Sequence, residues 1–179
     1  MKTLIPFFKR ERYNDNDGAF AIVYFFDNKN KTIESRKFDN YTRELTPEID
    51  INFKHENEAL IKNLLIDEII KENQFINYCQ FIEDGQYNLQ DCTVKGSRKY
   101  KGKNARLISL FSKINPYSGK NEKMAKIEGL DGIIYFISAS TVTIPLEAIK
   151  LMLNDLSIND LIRFKQNRND FYNFNKSRN

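Results

Sequence analysis

ENEALIKNLLIDEIIKENQFINYCQFIED, residues 56–84, has the strongest secondary-structure signal in the chain. Ile61, Leu65 and Ile69 recur at four-residue spacing, which is the spacing of side chains along one face of a helix. Leu60 and Leu64 lie beside this stripe and widen its apolar face. The stretch therefore predicts one long amphipathic helix, around which the rest of the fold is organised.

The length of this helix depends on its second half. Ile76 and Cys79 extend the apolar face, and Gly85 is a natural C-terminal stop. A helix over the whole stretch would be about twice the average length of about 11–12 residues. We therefore also consider a break near Asn73.

The residues before the helix are predicted to form a β-hairpin. GAFAIVYFF (18–26) is rich in β-branched and aromatic residues, DNKN follows as a turn signal, and KTIESRKF (31–38) is typical of the returning strand. Because 18–26 is apolar on both faces, we expect it to be a central strand.

The second half of the chain mixes β-rich and helical patterns. DGIIYFISASTVTI (131–144) is typical of β-structure. NARLISLFSKINP (104–116) fits either a helix that Asn104 caps or a strand that leads into a turn. PLEAIKLMLN (145–154) and SINDLIRFKQNR (157–168) predict two C-terminal helices, the first opened by proline and the second by a capping serine.

Together these elements predict an α+β fold: an N-terminal β-hairpin, one long amphipathic helix, a further β-rich segment and C-terminal helices packed in one compact layer pair. The chain has 179 residues, of which 41% are hydrophobic, so we predict a single domain over 1–179. The tail over 168–179 is either frayed or held by its aromatic residues. The sequence shows neither a targeting signal nor an apolar run that could span a bilayer, so we expect a soluble, cytoplasmic protein with no membrane partner.

Signals for catalysis are weak. His55 is the only histidine, so no Cys/His zinc set can form, and the two cysteines are expected to be reduced thiols. Asp17 with Asp27-Asn28-Lys29 formally matches the two acids and lysine of many metal-dependent nucleases, but a strand between the acids would hold them roughly 30 Å apart. We expect no catalytic residue, cofactor or metal ligand. A metal-dependent nuclease with a non-standard carboxylate site stays open as an alternative.

Charge is segregated along the chain. Residues 1–91 hold 12 basic and 17 acidic groups, and residues 128–179 hold six of each. Residues 92–127 hold ten basic groups and one acid, Glu122, which gives this segment a net charge of +9 in a chain whose total is +4. A positive field confined to one segment favours a polyanionic partner.

CTVKGSRKYKGKNARL, residues 92–107, is the densest part of this segment. Lysine and arginine neutralise phosphates with release of counterions, and a tyrosine among them can stack on a base. We predict a nucleic-acid-binding protein without catalytic activity, which contacts the phosphate backbone of DNA or RNA, or a nucleoprotein complex, through residues 95–126. The predicted contact residues are Lys95, Arg98, Lys99, Tyr100, Lys101, Lys103, Arg106, Lys113, Lys120, Lys123 and Lys126.

Two other interpretations of the basic segment remain. A run of like charges is also typical of a hydrated surface loop with no partner. A protein-interaction module, such as an inhibitor or adaptor encoded by a phage or mobile element, would use the same segment on an acidic or nucleoprotein partner. The asparagine, isoleucine and lysine bias of the chain fits an AT-rich source of that kind.

Overall fold

A computed structural model of the chain describes residues 3–14, 18–39 and 46–165. Eight strands and four helices lie within these ranges, which confirms the predicted α+β class. The described residues divide into two compact units. The first extends to Ile69 and resumes at Asn154, and the second is Ile70–Leu153. The single domain and the single layer pair stay predictions.

The first unit contains a three-stranded antiparallel sheet. Its strands are β1 (Leu4–Asn14), β2 (Gly18–Asp27) and β3 (Thr32–Asp39), and β2 is the central strand. The predicted hairpin and the central position of its first strand are thus confirmed. The sequence did not predict β1, in which a proline at position 6 adjoins a register shift against β2.

α2 (Glu58–Glu72) is the predicted amphipathic helix, shortened at its C-terminal end. Ile61, Leu65 and Ile69 are fully buried, as their spacing predicts. The helix ends at Glu72, which confirms the break near Asn73. The longer helix through residue 84 is wrong: turns follow from residue 74, and Gly85 opens a strand instead of ending a helix.

Two short helices complete the first unit. α1 (Ile51–Glu56) precedes α2, and α4 covers residues 158–165. The Ser157 hydroxyl accepts a hydrogen bond from the Asp160 N–H at 3.1 Å, so the predicted capping serine is confirmed. The predicted tail over 168–179 lies outside the described residues. In the described part of the chain, no helix combines the length and apolar character needed to cross a membrane.

The second unit contains a five-stranded antiparallel sheet of order β7-β6-β5-β4-β8. The strands are β4 (Gly85–Val94), β5 (Asn104–Ile114), β6 (Asn121–Gly129), β7 (Ile134–Ser138) and β8 (Val142–Thr143). α3 (Leu146–Asn154) begins after Pro145 as predicted. The strand alternative for 104–116 is confirmed and the helix alternative, with Asn104 as its cap, is wrong.

A bulge in β5 decides which of its side chains share a face. Leu107 pairs with Ile127 and Leu110 pairs with Ala125, on either side of a register shift between Leu107 and Ser109. Because directly opposed residues point to the same side of a sheet, Leu107 and Leu110 share the buried face although they are three residues apart. Their partners are buried with them, and this face forms the core of the second unit.

Candidate nucleic-acid interface

Residues 95–103 connect β4 to β5 and form a hairpin loop that we call the basic loop. Its base is closed by two backbone hydrogen bonds, from Val94 N–H to the Lys103 carbonyl at 2.7 Å and from Lys95 N–H to the Thr141 carbonyl at 2.8 Å. The loop contains five cations and no acid: Lys95, Arg98, Lys99, Lys101 and Lys103. All five are exposed, and none makes a side-chain hydrogen bond or ion pair with another described residue.

Tyr100 holds the basic loop in place. Its side chain is only 6% exposed and its hydroxyl donates to the carbonyl of Asn104. The ring contacts Gly102 and lies so close to Gly129 that a Cβ there would be 2.7 Å from it. The Tyr135 ring packs beside it with centroids 5.0 Å apart. The two glycines therefore leave the space into which Tyr100 inserts.

This position changes the role of Tyr100. The ring is packed by neighbours and offers no face to a base, so we assign Tyr100 to positioning the basic loop rather than to the predicted stacking. Its sequence neighbours Lys99 and Lys101 are both exposed. The buried ring thus fixes a segment whose adjacent cations face the solvent. Tyr117, which is 98% exposed, lies in the separate turn between β5 and β6.

Three predicted cations lie on the sheet face opposite the core, where acids alternate with them. Arg106 is opposite Glu128, with 3.8 Å between its Nε and the carboxylate, and Lys113 is opposite Glu122. Lys126 lies on the same face, opposite Ser109. This face is of mixed charge, and the charge of Arg106 is partly neutralised by Glu128 before any ligand arrives.

Lys123 points to the other side of the sheet and is engaged there. Its Nζ lies 3.1 Å from Oδ1 of Asp84, and the Ser112 hydroxyl donates to Oδ2 of the same carboxylate at 2.7 Å. The hydrogen bond from Ser112, together with Lys123, lowers the pKa of Asp84 below its ordinary value. Lys123 therefore stabilises the fold and is a poor candidate for binding a ligand.

Lys113 and Lys120 are remote from the basic loop. The loop precedes the first residue of β5, whereas these two lysines lie at the far end of that strand and in the turn beyond it. A strand of this length spans roughly 30 Å at about 3.3 Å per residue. The structure thus places five of the predicted cations in the basic loop and keeps Lys113 and Lys120 away from it.

A pocket of about 830 Å³ adjoins the basic loop within the second unit. Lys95 and Lys103, at the two ends of the loop, both line it. Its other polar lining residues are hydroxyl and amide side chains: Asn77, Tyr78, Thr93, Ser140, Thr141 and Thr143. Among the described residues, no carboxylate lines the pocket. The sequence did not predict this pocket. The one sequence feature related to its lining is the Ser- and Thr-rich run at 138–143, which interrupts an otherwise apolar segment.

No group of three or more His, Cys, Asp or Glu side chains that could hold a metal ion lies among the described residues. Asp27, from the nuclease-like match, is the last residue of β2 and accepts hydrogen bonds from the N–H groups of Lys29 and Asn30 in the turn that follows. Its formal partner Asp17 lies outside the described residues. His55 is exposed near the end of α1.

Both cysteines are free and buried in the second unit. Burial raises the pKa of the Cys79 thiol to about 12, and burial also raises that of Cys92 to about 12. Thiols in such surroundings are protonated at neutral pH and behave as packing groups.

No family model matches the chain, and no curated protein and no solved structure matches it.

Proposed function

We propose that the protein binds nucleic acid, as the free strand or within a nucleoprotein complex, by placing the basic loop against the phosphate backbone. Arg98, Lys99 and Lys101 form the contact surface, and Lys95 and Lys103 extend it at the base of the loop. The role is binding without catalysis, and we place it in the cytoplasm.

One observation supports this proposal above all: five cations share a short loop and none has an acidic partner among the described residues. Like charges held this close repel one another, whereas Arg106 and Lys123 of the same segment each have a carboxylate partner. Binding of phosphates in place of counterions releases the most free energy when the cations of the cluster have no carboxylate partners.

The anchoring of the loop adds to the argument. A flexible basic loop would lose conformational freedom on binding, which opposes association. Here Tyr100 and the backbone hydrogen bonds at the base already restrict the loop. Its cations are therefore held close together before a ligand arrives. The loop loses less conformational entropy on binding, so less of the electrostatic free energy of binding is offset.

The direct test is a binding assay with labelled single-stranded DNA, single-stranded RNA and a DNA duplex, read by fluorescence anisotropy. Phosphate contacts predict that affinity falls steeply between about 50 and 200 mM salt and depends little on base sequence. Incubation of the same oligonucleotides with Mg²⁺ or Mn²⁺ should leave them intact. Binding that is insensitive to salt would contradict the proposal, and cleavage would favour the nuclease alternative.

A second candidate function is a protein-interaction module of phage or mobile-element type, which would direct the basic loop at an acidic or nucleoprotein partner. The observation in its favour is a set of exposed apolar side chains around the start of β7: Leu130, Ile133, Ile134 and Phe136. A pull-down from lysate with and without nuclease treatment separates the candidates. A protein partner retained after nuclease treatment supports the module, whereas loss of all captured material supports nucleic-acid binding.

A further inference from the structure

The pocket beside the basic loop has the chemistry of an anion site. Lys95 and Lys103 both line it, so their two ammonium groups can reach a ligand there, and none of the described lining residues carries a carboxylate that could neutralise them. Ammonium groups bind phosphate as compact point charges, and neutral hydroxyls can complete the coordination of its oxygens. A cation, or a ligand that needs a charged acceptor, would find no partner in this lining.

Several lining groups keep a hydrogen available for a ligand. The hydroxyls of Thr93 and Thr143 lie 2.5 Å apart, so one donates to the other and the accepting hydroxyl keeps its own hydrogen to give. The Asn77 side-chain amide and the Tyr78 hydroxyl have no hydrogen-bond partner among the described residues. Donors and cations thus outnumber charged acceptors throughout the lining, which is the pattern that an oxyanion requires.

The volume of the pocket indicates a ligand larger than inorganic phosphate. At about 830 Å³, it lies within the range of about 300–1,000 Å³ that is typical of small-molecule sites. Tyr78 contributes a half-exposed ring to the lining and can pack along a sugar or base. A phosphomonoester carries a charge of about −1.5 to −2 at neutral pH, which two lysines match better than the single charge of an internal phosphodiester does.

We propose that this pocket binds the phosphomonoester of a nucleotide, either the terminal phosphate of a nucleic-acid strand or a free mononucleotide. The terminal-phosphate form rests on the proposed function, because the strand leaving the pocket would continue along the basic loop. Lys95 and Lys103 bind the phosphate, Thr93 or Thr143 donates to it, and Tyr78 packs on the nucleoside.

The experiment compares three short single-stranded DNA probes of one sequence, with a 5′-phosphate, a 3′-phosphate or hydroxyls at both ends, and adds a free mononucleoside monophosphate. Two double variants of equal charge are measured beside the wild-type protein: Lys95→Gln with Lys103→Gln in the pocket, and Lys99→Gln with Lys101→Gln on the loop. All four residues are exposed, so neither variant should disturb folding, and circular dichroism checks this.

We expect the wild-type protein to bind the strand with one of the two phosphorylated ends about tenfold more tightly than the strand with hydroxyl ends. This ratio of affinities corresponds to the free energy of about one charge-assisted hydrogen bond. The pocket variant should lose this preference, whereas the loop variant should bind all strands more weakly with the preference intact. Thr93→Val with Thr143→Val, which replaces both hydroxyls with methyl groups, should reduce the preference without changing charge.

Equal affinity of the wild-type protein for all three strands, with no binding of the mononucleotide, overturns the inference. A preference that survives in the pocket variant overturns it as well. Binding of the mononucleotide that Lys95→Gln with Lys103→Gln abolishes, with no binding of any strand, supports the pocket with a free nucleotide as its ligand and at the same time contradicts the proposed function.

Discussion

The ring of Tyr100 packs against the ring of Tyr135 with their centroids 5.0 Å apart. Tyr135 in turn donates its hydroxyl hydrogen to Asp131 at 2.7 Å, and this bond lowers the pKa of the carboxyl and raises that of the phenol. The basic loop is thus connected through two aromatic rings to strand β7 and the turn before it. Its conformation should therefore depend on side chains that are distant in sequence and carry no positive charge.

Truncation of Tyr100 should weaken both the fold and the binding. Tyr100→Ala removes a buried aromatic ring and should cost about 3 kcal/mol or more of the free energy of unfolding. Tyr100→Phe keeps the ring and removes its hydrogen bond to Asn104, with an expected loss of about 1 kcal/mol. Urea denaturation followed by circular dichroism measures both values.

Tyr117→Ala is the matched control for Tyr100→Ala, because it removes the same side chain from an exposed turn. It should leave the free energy of unfolding nearly unchanged. If Tyr100→Ala were as stable as Tyr117→Ala, the ring would not anchor the loop. Nucleic-acid affinity should fall in Tyr100→Ala at temperatures where the protein remains folded, since its cations are then no longer held together.

The carboxyl of Asp84 predicts a pH effect whose sign follows from its hydrogen bonds. Its pKa in the folded state lies below the ordinary value of about 3.9, because Ser112 and Lys123 stabilise the carboxylate. The stability that it contributes is therefore fully present above that value and is lost as the pH falls through the lowered pKa. NMR titration of Ser112→Ala should show the pKa of Asp84 rising towards its ordinary value.

Asp131 provides an internal control in the same titration. Its pKa is lowered by Tyr135 and by the Ile133 N–H, neither of which the Ser112→Ala substitution touches. It should keep its low value. A rise at Asp131, or no change at Asp84, would show that the serine hydroxyl is not the main cause of the shift.

The two thiols should be unreactive in the folded protein. Cys79 and Cys92 have a pKa of about 12, far above the ordinary value of about 8.5. At pH 8 their thiolate fraction is therefore roughly a thousandfold lower than that of an exposed cysteine. A chromogenic disulfide reagent should react slowly with the native protein and rapidly in guanidinium chloride. Because a raised thiol pKa stabilises the fold only while the group is protonated, stability should fall as the pH rises from about 9 towards 12. Rapid modification of either thiol in the native protein would contradict the burial.

Much of the fold could be predicted because the local signals agreed with the packing. GAFAIVYFF and the turn after it identified a central strand and its neighbour from residue types alone. The strand β5 was ambiguous for a physical reason: its bulge places Leu107 and Leu110 on one face, and three-residue spacing is also helical. The end of α2 was ambiguous because Ile76, in the turn after the helix, and Cys79, at the start of a short 3₁₀ helix, are both buried and continue the helix-like spacing.

The candidate site was only partly predictable. The cations of the basic loop all lie within residues 95–103 and were found by their charge. The burial of Tyr100 depends on Gly102 and Gly129, which are distant from each other in sequence and form its slot only after β5 and β6 pair. The pocket draws on four separate stretches of the chain, so no single run of residues indicates it.

The salt dependence of binding should report how many cations contact phosphate. Contacts from the five loop cations alone predict a slope of log affinity against log salt of about −4.5 on a DNA duplex, whereas all ten basic residues of 92–127 would give about −9. Anisotropy titrations over a range of salt concentrations measure this slope. A value near the larger figure would mean that the sheet cations bind nucleic acid as well.

The most direct test of the account is a pair of charge-reversal variants with the same change in net charge. Lys99→Glu with Lys101→Glu alters the basic loop, and Lys113→Glu with Lys120→Glu alters the far end of β5; all four residues are exposed. The affinity for a labelled duplex at fixed salt is measured for both variants and for the wild-type protein. We predict a loss of about a hundredfold or more for the loop variant, which loses two phosphate contacts and gains two repulsions, and only a small loss for the other. Equal losses in the two variants would contradict the claim that the basic loop is the binding surface.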